Sequence, residues 1–130
     1  MTVSQIRVAR PTDKFDEVVR FYCDGLGLTV IGRFSNHFGY DGIILALPGR
    51  RDHLEFISHR DGSPCAAPSQ DNLLVFYLPK PAEFTALEQR LTAIGQAPVQ
   101  AENAYWTKNG ALTFEDPDGW RVVLFPGPGL

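Results

Sequence analysis

One order of predicted elements occurs twice along this chain, and the repeat constrains its fold more than any other feature. Each half is predicted to contain a strand, a helix and three further strands. Gly27 and Gly95, which each follow a predicted helix, are separated by the same interval as Gly42 and Gly110. Few residues at matching positions are identical, so the repeat is one of pattern rather than of residue type. The chain is therefore expected to fold as two similar modules.

Hydrophobic spacing and turn residues locate the elements of the two modules. Alternation with a period of two predicts strands, and apolar residues three and four apart predict helices. In the first half these patterns predict a helix at 15–23 and strands at 5–10, 28–34, 40–47 and 53–59. In the second half they predict a helix at 81–94 and strands at 72–78, 98–101, 111–115 and 121–125.

The expected fold class is α+β, with two βαβββ modules that form curved mixed sheets and carry their helices on the convex faces. The 130 residues suit a single domain. Its modules would span residues 1–60 and 70–130, joined by a loop at 60–71.

Alternation along the strands assigns their side chains to two faces of each sheet. One face is apolar throughout and is expected to pack against the helices. Its residues are Ile6, Val8, Leu54, Phe56, Leu74, Phe76, Leu78, Val122 and Leu124. The opposite, concave face is expected to hold Arg7, His53, Glu55, Leu73, Val75, Tyr77, Val123 and Phe125.

Charge and composition exclude several classes of protein. The formal net charge is −3, and the basic residues are not clustered as nucleic-acid binding requires. No apolar run approaches the ~18 residues of a membrane span, and no apolar signal region is seen. Cys23 and Cys65 are far apart and form no CxxC motif, which favours free thiols in a reducing compartment. We therefore expect a cytoplasmic protein without nucleic-acid or membrane partners.

Two segments in opposite halves carry a family resemblance. They are RFYCDGLGLTV, residues 20–30, and FEDPDGWRVVLF, residues 114–125. Together with the paired βαβββ order, they make the chain resemble the vicinal oxygen chelate superfamily, which includes glyoxalase I, bleomycin-resistance proteins and extradiol dioxygenases. The resemblance covers nearly the whole chain. It implies a concave cup between two modules in which a small molecule binds, and a homodimer as the usual assembly.

The resemblance also implies where a metal ion would be held. Metal-using members take one ligand each from the first and last strands of both modules, typically His, Glu, His and Glu. At these positions the chain has Arg7, Glu55, Leu73 (with Asn72 beside it) and Val123. A guanidinium offers only donors and keeps its charge, and the side chains of Leu73 and Val123 have no ligand atom. Because a divalent ion needs three or four nitrogen or oxygen ligands, no metal cofactor is expected there.

Arg7 and Glu55 are instead expected to form an ion pair at the floor of the cup, for which a bidentate geometry would be suitable. The predicted ligand-binding residues are Arg7, Glu55, His53, Tyr77 and Phe125. An alternative is a metal site outside the family pattern, made by His37, His53 and Glu55, since alternate residues of a strand can reach one ion. The simpler interpretation is that the histidines lie at the rim in contact with water.

Aromatic residues are candidates for the walls of the cup, as ligand sites use a few such side chains. The candidates are Phe34, Tyr40, Tyr77, Trp106, Phe114, Trp120 and Phe125. Tyr105 and Trp106 lie in a polar segment and are the pair most expected to be exposed, covering either the cup or a partner subunit.

Three kinds of function follow from these residues, and the last of them is a stand-alone dimer whose cup is vestigial. The first is a metal-free protein that binds a small, partly apolar molecule in the cup, as bleomycin-resistance proteins sequester a drug without chemistry. The second is an enzyme, either a metal-dependent lyase, isomerase or dioxygenase with an altered ligand set, or a metal-free acid–base catalyst that uses Glu55. The sequence leaves open whether the cup closes within one chain or between two.

Overall fold

Two mixed sheets form the framework of the protein, as the repeat predicts. The computed structural model describes residues 1–49 and 51–130. The elements of the first half are β1 (Arg7–Pro11), α1 (Phe15–Val19), a π-helical continuation of α1 (Arg20–Gly25), β2 (Thr29–His37), β3 (Tyr40–Ala46) and β4 (His53–His59). Those of the second half are β5 (Leu73–Tyr77), α2 (Pro81–Ala93), α3 (Ala104–Lys108), β6 (Leu112–Glu115) and β7 (Arg121–Phe125).

The fold class is α+β, and the strand orders are β1-β4-β3-β2 in the first sheet and β5-β7-β6 in the second. Each sheet pairs its first strand with its last in parallel, and its other neighbours are antiparallel. The last strands, β4 and β7, have the bounds that the alternation predicts. The two parallel pairs therefore occupy equivalent places in the two sheets.

The second sheet has one strand fewer than the sequence predicts. Residues 98–101 make only a single bridge, between Val99 and Thr113. The chain then enters α3, where the side chain of Asn103 accepts a hydrogen bond of 2.9 Å from the backbone N–H of Tyr105. This bond caps the first turn of a helix that the sequence does not predict. The prediction of a strand at 98–101 was wrong because the segment turns away from β6 after one bridge.

One hydrophobic core joins the two modules. Its buried residues are Val18, Phe21, Tyr22, Leu26, Leu28, Ile43, Leu45, Leu54, Phe56, Leu91, Phe114, Val122 and Leu124. α2 packs against the π-helical segment at Gly25, where an added Cβ would lie 2.7 Å from Cδ2 of Leu91. Arg90 donates hydrogen bonds to the backbone oxygens of Cys23 (3.0 Å) and Gly25 (3.3 Å). The helix-facing sides of both sheets therefore share a single core.

A buried hydrogen bond also links the two modules. The hydroxyl of Tyr22 donates to Oδ2 of Asp116 at 2.7 Å, and both side chains are buried. Oδ1 of Asp116 accepts from the backbone N–H groups of Asp118 (2.8 Å) and Trp120 (3.0 Å). Burial raises the pKa of the Asp116 carboxyl above its ordinary value, although these three hydrogen bonds act to lower it. Burial, and then the nearby Asp116, raise the pKa of the Tyr22 hydroxyl well above its ordinary value.

β1 is less covered than the sequence predicts. Val8 lies opposite Leu54 in the strand pairing and so belongs to the helix-facing side, yet 44% of its surface is exposed. Ile6 precedes the strand and is 55% exposed. The prediction that both pack against a helix was wrong, because β1 is the edge strand and the core of this sheet is formed on β3 and β4.

The two cysteines agree with the expectation of free thiols. Cys23 and Cys65 are free and half-buried. Burial, followed by the nearby Asp24, raises the pKa of the Cys23 thiol above its ordinary value, which disfavours the nucleophilic thiolate. None of the helices in the described residues is long and apolar enough to cross a membrane.

Candidate functional site

Each sheet has a cup face, which is the side that points away from the core. In the first sheet the strand pairing places on it Arg7, Ala9, Pro11, Thr29, Gly32, Phe34, His37, Tyr40, Gly42, Ile44, Ala46, His53, Glu55, Ile57 and His59. Glu55 lies near its middle, paired with Ala9 on one side and Ile44 on the other. The face therefore presents one carboxylate whose cross-strand neighbours are Ala9 and Ile44.

Arg7 and Glu55 form the ion pair that the sequence predicts. Nη1 of Arg7 donates to Oε2 of Glu55 at 3.1 Å. The contact joins one nitrogen to one oxygen, so the expected bidentate geometry is not seen. The Arg7 side chain is 46% exposed, whereas that of Glu55 is only 11% exposed. The pair thus joins a largely buried carboxylate to a half-exposed guanidinium, whose other donors bond none of the described residues.

His53 lies beside this pair, but the other histidines do not. Nε2 of His53 contacts the side-chain nitrogen of Gln5 at 3.1 Å, and its buried Nδ1 has no partner among the described residues. His37 pairs with Tyr40, which pairs with His59 at the far end of β4, roughly 20 Å from His53 at the rise of a strand. The hypothesis of a site made by His37, His53 and Glu55 was therefore wrong.

At the position where superfamily members hold a metal ion, the residues present do not fit one. Arg7 brings a positive charge to the carboxylate of Glu55, and the side chains of Leu73 and Val123 have only carbon atoms. In the part of the chain that the structure describes, no three His, Cys, Asp or Glu side chains are grouped as metal ligands. The donor set gives a divalent ion one carboxylate where it needs three or four ligands.

The cup face of the second sheet is mostly apolar and partly covered. The strand pairing places Leu73, Val75, Tyr77, Thr113, Glu115, Arg121, Val123 and Phe125 on it. Val123, at the position of the fourth family ligand, is fully buried. Thr113 beside it is 3% exposed, and its Oγ1 has no hydrogen-bond partner among the described residues.

A second ion pair lies on this face and was missed by the sequence analysis. Nε of the buried Arg121 donates to Oε2 of Glu115 at 3.0 Å, and its Nη1 donates to the backbone oxygen of Gln100 at 2.9 Å. The signal was present in the alternation, because Arg121 lies two residues before Val123 and so shares its face. Both modules therefore place an arginine–carboxylate pair on the cup face.

Phe125 is the centre of an aromatic cluster that closes one end of the second face. Its ring centroid lies 5.3 Å from that of Tyr77, 6.3 Å from that of Tyr105 and 5.9 Å from that of Trp106. Tyr77 and Tyr105 are partly exposed, as expected for Tyr105, whereas Trp106 is half-buried. Tyr77 also borders a cavity of about 690 Å³, but much of the lining of this cavity comes from the helix-facing side of β5 and from α2. α3 thus brings two rings onto the face that holds Tyr77 and Phe125.

The two modules and their cup faces define the fold as that of the vicinal oxygen chelate superfamily. The protein is similar to a glyoxalase/bleomycin resistance/dioxygenase domain from Frankia sp. EAN1pec, with a TM-score of 0.71, 21% identity and 98% of each chain covered. It is also similar to TnmS3, an antibiotic binding protein from Streptomyces sp. CB03234, with a TM-score of 0.70, 18% identity and coverage of 98% and 99%. At these identities the likeness shows the fold.

Sequence comparison narrows the class. Models of the YycE-like N-terminal and C-terminal domains match residues 6–57 and 71–126. The chain is 48% identical to the uncharacterized protein YycE of Bacillus subtilis (strain 168) over 127 residues, which are 98% of this chain and 91% of YycE. A crystal structure of a YycE protein of unknown function from Bacillus subtilis, described as a candidate glyoxalase/fosfomycin resistance protein, has a TM-score of 0.91, 46% identity and coverage of 98% and 92%. This chain belongs to the YycE-like family.

Proposed function

We propose that this protein binds a small, partly apolar molecule at the cup face and holds no metal ion there. The Arg7–Glu55 pair carries the proposal. Glu55 is the one carboxylate at the four metal-ligand positions of the superfamily, and it bonds Arg7, whose guanidinium cannot be a metal ligand. Small-molecule sites commonly combine apolar walls with a few placed polar groups. The antibiotic binding protein TnmS3 is a precedent for small-molecule binding on this fold.

The polar and aromatic parts of the proposed site come from different modules. Arg7, Glu55 and His53 on the first sheet supply hydrogen-bonding groups, whereas Tyr77 and Phe125 on the second supply aromatic surface. The predicted ligand-binding residues therefore divide into a polar half and an aromatic half. A ligand that uses both needs the two halves to face each other.

We infer that a homodimer brings the two halves together. β1 and β5 are edge strands, and exposed apolar residues accompany the edge of β1. Val8 is on the core side of its sheet yet 44% exposed, so we expect a second chain to bury it. The two modules already share a core through their helix-facing sides, which leaves the cup face of the first module free to meet a second copy.

The metal-free part of the proposal is tested on protein purified without a histidine tag. Elemental analysis is expected to find no transition metal in stoichiometric amount. A thermal-shift screen of small molecules, run with and without Zn²⁺, Ni²⁺, Mn²⁺ and Mg²⁺, is expected to find stabilising compounds whose effect does not depend on the ion. A stoichiometric metal, or stabilisation that needs one, would favour the alternative of an enzyme with an altered ligand set.

The role of the ion pair is tested with the compounds that this screen selects. Arg7→Ala is expected to lose most of the stabilisation by ligand, while Arg20→Ala, which removes another exposed arginine, keeps it. If Arg7→Ala folds and keeps full affinity, the pair is not part of the site. Turnover of a bound compound that Glu55→Gln abolishes would instead identify a metal-free catalyst.

Assembly is tested separately by sedimentation velocity. The wild-type chain is expected to sediment as a dimer and Val8→Asp as a monomer, because the charge would be buried against the second copy. Ile31→Asp is the matched control, since Ile31 is an exposed apolar residue on β2, at the opposite edge of the sheet. A monomeric wild type, or a Val8→Asp variant that remains dimeric, would contradict assembly through β1.

A further inference from the structure

Phe34 and Gly42 form a flat aromatic platform on the cup face of the first sheet. The two residues are paired between β2 and β3. A Cβ on Gly42 would overlap the Phe34 ring, so the ring occupies the space that a side chain at position 42 would take. Glycine at this position therefore lets the phenyl ring lie down on the sheet instead of standing away from it.

The floor between this platform and Glu55 is apolar. Ile44 is paired with Glu55, and it leans over a second glycine, Gly32, with its Cδ1 3.4 Å from the Cβ position there. Gly42 is the diagonal neighbour of Glu55 across β3 and β4, and such neighbours lie about 7–8 Å apart. The Phe34 ring lies over Gly42, so the backbone positions beneath the ring and at Glu55 are separated by about the length of a bicyclic ring system.

The Arg7–Glu55 pair presents a donor and an acceptor side by side at the end of this floor. Arg7 uses Nη1 on Oε2 of Glu55, and none of its other donors bonds a described residue. Among the described residues, none donates a hydrogen bond to Oε1 of Glu55. Because the pair has no net charge, an anion that is attracted by Arg7 is repelled by Glu55, and a cation that is attracted by Glu55 is repelled by Arg7. A neutral group with one acceptor next to one donor, such as a carboxamide, matches both side chains.

We propose that the ligand class of this face is a planar aromatic molecule with a neutral donor–acceptor edge, and that Phe34, held flat by Gly42, selects it. The inference rests on the small-molecule function proposed above and specifies its ligand. The aromatic cluster around Phe125 has the same chemistry on the other module and is suited to the opposite side of such a ring system. The competing interpretation is that Phe34 only shields the backbone of a glycine in a sheet.

Three related probes separate these interpretations. They are naphthalene-2-carboxamide, its saturated analogue decahydronaphthalene-2-carboxamide, and naphthalene-2-carboxylate. Calorimetric titration of the wild-type protein is expected to show binding of the aromatic carboxamide roughly two- to tenfold tighter than of the saturated one, the range that aromatic contacts contribute. The carboxylate is expected to bind more weakly than the carboxamide, because it lacks the donor and meets Glu55.

Variants then assign the preference to the platform. Phe34→Leu is expected to abolish the preference for the aromatic carboxamide while still binding both carboxamides. Phe38→Leu, which removes an exposed ring from the neighbouring turn, is the matched control and is expected to leave the preference intact. Gly42→Ala keeps the Phe34 ring but displaces it from the sheet, so it is expected to reproduce the effect of Phe34→Leu. If Phe34→Leu does not fold, the proposal is still tested by the preference of the wild-type protein for the aromatic carboxamide and by the loss of that preference in Gly42→Ala.

Several results would overturn the proposal. Equal affinity for the planar and saturated carboxamides, a preference that survives Phe34→Leu, or tighter binding of the carboxylate would each contradict it. If none of the three probes binds while the thermal-shift screen yields other ligands, the ligand class is wrong and the small-molecule function stands. If the screen also yields none, the small-molecule function itself fails.

Discussion

Tyr22→Phe is expected to weaken the link between the two modules by a measurable free energy. The hydroxyl of Tyr22 donates to Asp116 at 2.7 Å where both side chains are buried, so its loss leaves a carboxylate oxygen without a donor. A hydrogen bond to a charged group contributes about 1.5–3 kcal/mol, so we expect the free energy of unfolding to fall by about 2 kcal/mol at pH 7. Urea denaturation followed by circular dichroism measures this change.

The effect of Tyr22→Phe should depend on pH in a defined direction. The pKa of Asp116 is raised in the folded protein, so the folded state favours the neutral carboxyl. The associated stability is present below the unfolded-state pKa and is lost as pH rises through the folded one. The Tyr22 hydrogen bond lowers the pKa of Asp116, so Tyr22→Phe should raise that pKa further. The loss of unfolding free energy caused by Tyr22→Phe should therefore become smaller as the pH falls from 7 to 4.

The matched control for this prediction is Tyr40→Phe, whose hydroxyl bonds no residue that the structure describes. It should change the free energy of unfolding by less than about 0.5 kcal/mol at either pH. Asp116→Asn supplies a second check, because a neutral side chain at 116 should make the loss of the Tyr22 hydroxyl nearly independent of pH. A Tyr22→Phe variant as stable as the wild type at pH 7, or one whose cost grows on acidification, would refute the reasoning.

Three further changes test other contacts by urea denaturation. Gly25→Ala should destabilise the protein by about 1–3 kcal/mol because its Cβ would lie 2.7 Å from Leu91. Leu91→Ala in the same chain should relieve part of that crowding, so the double variant should lose less free energy of unfolding than the sum of the two single variants. A loss equal to that sum would contradict the crowding argument. Arg7→Gln should cost less than about 1 kcal/mol, since the guanidinium is 46% exposed, and a larger loss would make the Glu55 pair structural. Thr113→Val should be neutral or slightly stabilising because it removes a buried hydroxyl without a described partner, whereas a loss above about 1 kcal/mol would show that the hydroxyl is bonded.

The sequence predicts the sheets well because the period of a strand is local information. β4 and β7 have their predicted bounds, and the alternation through Leu54 and Phe56 places Glu55 on the opposite face from the core. The Arg7–Glu55 pair follows from that phase together with the parallel pairing of β1 and β4. The candidate site could be assembled from the sequence to this extent.

Other parts of the site depend on information that periodicity does not contain. α3 begins at a capping hydrogen bond to the side chain of Asn103. Val8 is exposed because β1 lies at the edge of its sheet. Predicting the platform requires the knowledge that Phe34 pairs with Gly42. Spacing alone does not give this pairing, because β2 contains β-bulges that shift its register. Pairing partners and edges are long-range properties, so pattern reading reaches them only when a resemblance supplies the topology.

The single core shared by the two halves has a consequence for how the chain unfolds. In a tandem array each repeat contacts only its neighbours, and the repeats can open one at a time. Here Leu91 from one half fills space beside Gly25 of the other, and Phe114, Val122 and Leu124 are buried in the same cluster as Phe56. Amide hydrogens of β4 and β7 should therefore exchange together in one cooperative opening, despite belonging to different copies of an internal duplication.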